Sequence, residues 1–200
     1  MRKITINLAA VAAFCIVVAS PALVSSSCAT PQTEQEDTTI IREDLGITAL
    51  KYSSPEVPAS IEFCGKTIDL SRFDRHERMD RELLAFTYMH STSLQMLKKA
   101  NRYFPIVEPI LKENGIPDDF KYLMVIESNM NPTARSSAGA AGLWQFMQGT
   151  GRDYGLEVNN NVDERYHIEK ATRAACRYLK DAYAKYKDWV AVAASYNAGQ

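Results

Sequence analysis

Between Ile168 and Tyr186 the apolar residues fall on one helical face: Ile168, Ala171, Ala175, Tyr178, Leu179, Ala182, Tyr183 and Tyr186. Steps of three and four keep such a stripe on one side of a helix, whereas a strand would scatter it over both faces. This is the longest periodic segment in the chain, and it predicts a mainly α fold. The stretch upstream agrees. One helix is predicted over Asp74–Tyr88 and a second over Ser91–Arg102, with Ser91 as its N-cap. A third starts near Pro105 and stops at Asn114-Gly115, a C-terminal signal. Ile116-Pro117-Asp118-Asp119 opens a fourth, with proline in the first turn and two acids at its positive end. It runs to Glu127 and is closed by Asn131-Pro132, because a residue before proline avoids helical geometry. A Ser/Ala/Gly-rich loop covers 132–141, and a short helix is predicted over Leu143–Gln148, broken by Thr150-Gly151 and Tyr154-Gly155. Asn159-Asn160-Asn161 reads as a surface turn, and Asp188 caps a last helix, Trp189–Tyr196. Ahead of the helices, Ile61, Phe63, Thr67 and Ile68 flank Gly65-Lys66 and suggest a small hairpin.

The N-terminus divides from this domain. Arg2 and Lys3 precede an apolar run, Leu8–Ala19, too short for the ~20 residues that span a bilayer but suited to a secretory signal. Residues 1–27 are therefore expected to be a signal peptide, 28–59 a polar tether, and 60–200 the folded domain. Cys28 leaves two readings open. It is a lipidation site that would anchor the chain to a membrane, or the signal is simply cleaved. Cys64 and Cys176 could pair in an oxidising compartment, although Cys176 shares a face with Thr172, Leu179 and Tyr183 and fits a buried thiol. No Cys/His cluster suggests a metal, and His76, His90 and His167 read as surface or capping residues. A net charge of -1 argues against nucleic acid as a partner.

Glu127 carries the chemistry. Phe120, Leu123, Met124 and Glu127 form one stripe of the helix that Glu127 ends. A carboxylate on a core-facing stripe is partly desolvated, which raises its pKa and suits it to general acid work. Ser128 follows directly and could orient the carboxylate or bond the helix end. Gln145 offers a carbonyl and an amide for polar ligand groups but in isolation reads as an exposed helix glutamine, and Gly142 permits close backbone approach at the start of its helix. Trp144 and Phe146 can pack in the core or face a ligand, the core being favoured for Phe146. Tyr196 and Asn197 end the last helix, where a core tyrosine and an ordinary C-cap would look the same.

The ordered set Glu127-Ser128, Gly142-Leu143-Trp144-Gln145-Phe146-Met147 and Ser195-Tyr196-Asn197-Ala198-Gly199 resembles the lytic transglycosylases of the goose-type-lysozyme-like superfamily. Trp144, Thr150-Gly151-Arg152-Asp153-Tyr154-Gly155-Leu156 and Val162-Asp163-Glu164-Arg165 resemble its membrane-bound D group. The resemblance covers about residues 100–199 and implies a lysozyme-like helical (SLT) domain that cleaves peptidoglycan glycan strands in the periplasm, without metal or cofactor. It implies that Glu127 acts first as acid and then as base, while the sugar's own C6 hydroxyl attacks C1. It also implies that Tyr196 lies by Glu127, that Asn197 contacts substrate, and that Ser128, Gly142 and Gln145 support the site. Ser195 stands where the family usually has alanine. Two other readings stay open. A hydrolytic muramidase would need a second positioned carboxylate or a bound water opposite Glu127; Asp153, Glu157, Asp163 and Glu164 are available, but none sits in a comparable motif. A non-catalytic wall-glycan-binding protein would need none. Because family members continue past the last motif, the chain's end at Gln200 leads to the expectation of a C-terminally incomplete domain, of lower stability than an extended chain, with Trp189, Val190 and Val192 poorly covered.

Overall fold

The computed structural model describes residues 55–198, with side chains to Tyr196. The expectations for the signal, Cys28, most of the tether, and the Asn197 side chain fall outside those residues. The first regular elements are two antiparallel strands, β1 (Ser60–Phe63) and β2 (Lys66–Asp69), with Ile61 opposite Ile68 and Phe63 opposite Lys66. Cys64 and Gly65 make the turn with φ of 50° and 75°. Positive φ at both central residues matches the twist of a two-residue hairpin, and it places the turn one residue ahead of the predicted Gly65-Lys66. Ile61 and Phe63 point into the core, and the Cys64 N–H donates to an Asp119 carboxylate oxygen at 2.7 Å.

Among the described residues six α-helices follow. α1 (Phe73–Tyr88) is joined through Met89 alone to α2 (His90–Glu113). Two helices were predicted where α2 runs unbroken through Pro105 and Pro109. A proline inside a helix costs about 3 kcal/mol. Both prolines lie on the exposed face, so the carbonyls they leave unpaired can be served by water, while Tyr103, Phe104, Val107, Ile110 and Leu111 are buried on the other side. Their burial offsets the break. Ser91 does not cap the helix, which starts one residue earlier; Ser93 instead donates to the Phe86 carbonyl at 2.5 Å and ties α2 back to α1. The stop at Asn114-Gly115 is as predicted, with Gly115 at φ 67° and Ile116 N–H bonded to Leu111 O.

The predicted fourth helix is split. Residues Asp118–Tyr122 form a 3-10 turn, and α3 (Leu123–Ser128) continues from it. It ends ahead of Asn131-Pro132 because Asn129 and Met130 both turn left-handed (φ 49° and 52°), returning their N–H groups to Val125 and Met124. After the loop come α4 (Gln148–Asp153), a 3-10 turn (Glu164–Tyr166), α5 (Ile168–Tyr186) and α6 (Trp189–Ala198). The Asn159–Asn161 turn is an exposed Asx turn, with Asn159 Oδ1 accepting from Asn161 and Val162. His167 caps α5, and Asp188 caps α6 by accepting from Val190 N–H at 2.9 Å.

α5 is the packing axis. Ala171, Ala174, Ala175, Cys176 and Ala182 are buried along its apolar face, and such small residues let α2 approach closely. Cys176 is buried against α2 and Cys64 lies in the hairpin turn; both are free thiols. The expected poor cover of α6 is not what the packing gives. Val192 is fully buried and Val190 half-buried, while Trp189 stacks on Tyr183 at 4.2 Å and meets Phe120 edge-on. Trp144 is fully buried, and its Nε1–H donates to Thr172 Oγ1 at 3.0 Å. Thr172→Val would leave that N–H unpaired in the core, so a loss of about 1–3 kcal/mol is expected, read by denaturant unfolding.

Candidate active site

α3 delivers Glu127 on its last turn. Phe120, Leu123 and Met124 of the same stripe are fully buried, as predicted, and they anchor one side of the helix. Glu127 is half-buried at the edge of that core. Its Oε1 is buried with no hydrogen-bond partner among the described residues. Burial pushes its pKa above the ordinary carboxylate value, and no neighbouring charge contributes. An orphaned buried carboxyl oxygen is costly to the fold. It is also the state in which a carboxyl group keeps its proton at higher pH and holds it ready for transfer.

The loop from Ala134 to Phe146 packs against this helix end. A short helix was predicted over Leu143–Gln148; the chain instead forms tight turns there, and α4 begins only at Gln148. Gly142 and Gln145 take φ of 80° and 48° in these turns, a conformation that cannot extend a right-handed helix. Ala141 and Phe146 pair across the turn, with the Ala141 N–H on the Phe146 carbonyl. Gly142 does permit a close approach, as the sequence suggested, but within this turn and against the backbone of Arg165.

The loop carbonyls are taken up in order. Gln145 Nε2 donates to Gly142 O at 2.8 Å. Ser128 Oγ lies 3.1 Å from Leu143 O and 2.9 Å from Met124 O, and its one proton is shared between them. Ser128 thus bonds the helix end and the loop, not the Glu127 carboxylate. Tyr196 donates its hydroxyl to Trp144 O at 2.8 Å. Arg165 Nη1 donates to Phe146 O at 2.9 Å. With its amide nitrogen between the Ala134 and Gly142 carbonyls, Gln145 leaves Oε1 without a hydrogen-bond partner among the described residues. Trp144 and Phe146 are both buried, so neither offers its ring to a ligand.

Tyr196 comes from α6. Burial pushes its pKa well up, and the charge of Glu127 adds to the rise. Glu127, Ser128, Gly142, Gln145 and Tyr196 are therefore gathered around one helix end from three distant segments. Sequence reasoning placed Arg165 only within a resembling segment and gave it no task. It is fully buried and paired to Asp163. An Asp-x-Arg pair flanked by apolar residues is the signal that could have exposed it.

The other carboxylates are differently employed. Asp163 binds Arg165, which holds its pKa below the ordinary value. Glu164 binds the Glu157 N–H and Lys170, and Glu157 accepts from Asn159. Asp153 is exposed and lines a cavity of about 400 Å³ with Tyr154, Arg177 and Asp181. A groove of about 800 Å³ runs beside Pro105, Pro109 and Pro117. Neither cavity includes Glu127, and it is the partnerless oxygen that identifies the site. Among the described residues no group of three or more His, Cys, Asp or Glu is placed to hold a metal ion.

Residues 105–200 match the family model described as Transglycosylase SLT domain. Membrane-bound lytic murein transglycosylase D of Escherichia coli (strain K12) is 31% identical over 125 residues, 62% of this chain and 27% of that protein. Peptidoglycan transglycosylase gp16 of Escherichia phage T7 is 33% identical over 90 residues, 44% of this chain and 7% of that protein. The chain thus spans about a quarter, or less, of the length of these curated relatives. The matched residues take in Glu127, the Gly142–Met147 turn and Tyr196.

Proposed function

We propose that this chain, whose residues 105–200 match the transglycosylase SLT domain model, is a peptidoglycan lytic transglycosylase with Glu127 as its catalytic residue. The observation that carries the assignment is Glu127 Oε1, buried and unpartnered at the end of α3. Protonated Glu127 gives its proton to the glycosidic oxygen between N-acetylmuramic acid and N-acetylglucosamine. The C1–O bond breaks, and the leaving N-acetylglucosamine departs with that proton on its 4-hydroxyl. The C6 hydroxyl of the muramyl residue then attacks C1 and returns its proton to the Glu127 carboxylate. The product is a 1,6-anhydro-N-acetylmuramic acid end, and no water is consumed. Attack from within the same sugar draws on proximity in place of a second carboxylate.

The neighbours have supporting tasks. Gln145 Oε1 accepts from a sugar hydroxyl or N-acetyl N–H. Ser128 and Tyr196 hold the turn 142–146 through their carbonyl bonds, with Gly142 allowing its shape. Tyr196 spends its proton on Trp144 O and stays neutral beside Glu127, which preserves the low polarity around the acid. Asn197, the next residue in the chain, is assigned to substrate contact. Residues 60–200 are assigned to the catalytic domain, 28–59 to a tether, and 1–27 to an export signal. The chain then works on the periplasmic side, held to a membrane if Cys28 is lipidated.

The test is mass spectrometry of muropeptides released from purified peptidoglycan. Anhydro-muramyl ends, lighter by one water than reducing ends, are expected. Reducing ends would overturn the reading in favour of a muramidase, and binding to insoluble peptidoglycan without release would overturn it in favour of a binding protein.

A further inference from the structure

Arg165 is 1% exposed, one of the largest fully buried side chains in the domain. A guanidinium cannot shed its charge, so such burial requires that its donors be met. Two of them grip Asp163 in a bidentate pair, Nε to Oδ1 at 2.9 Å and Nη2 to Oδ2 at 2.7 Å. Nη1 supplies two more, to Gly139 O at 2.8 Å and Phe146 O at 2.9 Å. Those two carbonyls lie at either end of the turn that holds Gly142 and Gln145. The backbone of Arg165 bears on the turn as well, since its carbonyl oxygen lies only 2.0 Å from where a Cβ on Gly142 would be. Its methylenes pack on Gly151 of α4. One side chain thus closes the turn at both ends while its own main chain fixes the middle.

The turn is in turn bonded to the catalytic helix end. Leu143 O meets Ser128, the residue after Glu127, and Trp144 O meets Tyr196. A chain of direct contacts therefore runs from Arg165 through residues 139–146 to Glu127's neighbours. We propose that Arg165 is a positioning residue for the proposed glycan cleavage: its buried fork, with Asp163, sets the turn that presents Gln145 to the strand held at Glu127 and seats the Trp144 carbonyl on Tyr196. The inference rests on the reading of the chain as a glycan-cleaving enzyme. Lysine does not reproduce the function, because a single ammonium cannot form the planar pair with Asp163 and also reach two separate carbonyls. Methionine keeps packing volume against Gly151 and makes none of the four bonds.

The experiment compares the wild-type chain with Arg165→Lys and Arg165→Met, each also in a Trp189→Phe background so that Trp144 alone reports emission. Folding is followed by far-UV circular dichroism and thermal melting, and release of muropeptides gives kcat and KM. For Arg165→Lys the expected result is retained helicity, a red shift of Trp144 emission as the turn loosens, and a fall in kcat/KM of about 30-fold or more, with KM rising, per folded molecule. Arg165→Met should show the same signs more strongly. Wild-type emission with wild-type kcat/KM in either folded variant would overturn the proposal. So would a loss of activity that only follows the fraction unfolded, because that is a purely structural role. If the wild-type chain releases nothing from peptidoglycan, the functional reading falls, while the emission shift still decides whether Arg165 holds the turn.

Discussion

Glu127→Gln is expected to abolish release of anhydro-muramyl ends, by about 10³-fold or more, and to leave the domain folded and at least as stable near neutral pH. Loss of a positioned general acid removes a factor of about 10²–10⁴, and here the same group must also act as base, so the upper part of that range applies. Stability moves the other way because of the linkage between burial and ionisation. The folded-state pKa of Glu127 lies above its unfolded value, from desolvation alone. The native state therefore binds more protons than the unfolded state between those two values, and stability is lost as pH rises through that window. Above it, the wild-type chain carries a desolvated carboxylate that glutamine lacks. The variant should accordingly match the wild type below the unfolded carboxylate pKa and exceed it at neutral pH. Melting curves over a pH series check this, and a variant destabilised at neutral pH would show that the carboxylate has a structural partner. The same shift sets the activity profile: release should decline as pH rises past the raised pKa of Glu127, since the proton it must donate is then absent.

Much of this site was legible because its parts are local patterns. The stripe Phe120, Leu123, Met124, Glu127 survives although its first turn is 3-10, because 120 and 123 still face the same way from the two joined turns. The stripe on α5 was readable for the same reason. What was illegible depends on contacts across the chain. Pro105 and Pro109 argue for a helix break, and only the buried face of α2 shows why the helix continues. Ser91 has the chemistry of a cap, yet the single-residue link at Met89 moves the start ahead of it. Leu143–Gln148 has a helical composition, but the turn there is imposed from outside by Ser128, Tyr196 and Arg165, which come from three other elements. Nothing within residues 142–146 announces those partners. A motif read as a helix was therefore a turn, although the residues it brought to the site were the right ones.

Among the described glycines, Gly142 is the one where an added methyl group meets the closest obstacle. A Cβ there would lie 2.0 Å from the Arg165 carbonyl oxygen and 2.9 Å from its carbon. The obstacle is backbone, so no side-chain rotation relieves it. The left-handed φ of 80° adds strain of about 1–2 kcal/mol for any residue with a side chain. Gly142→Ala must therefore push the turn away from Arg165 or unseat the 3-10 turn at Glu164–Tyr166. Either path breaks the Phe146–Arg165 bond and leaves buried groups unpaired, for a total of about 4 kcal/mol. At about 2–4 °C per kcal/mol for a domain of this size, the melting temperature should fall by roughly 10 °C or more. Alanine at Gly149 is the control, since a Cβ there meets nothing within 4 Å and its φ is not left-handed. Release by any folded Gly142→Ala chain should be lost out of proportion to its stability, because the displaced turn carries Gln145 and the carbonyl that Tyr196 binds. A melting temperature within 2 °C of the wild type, about 1 kcal/mol or less, would mean that the turn is not held against Arg165 as described.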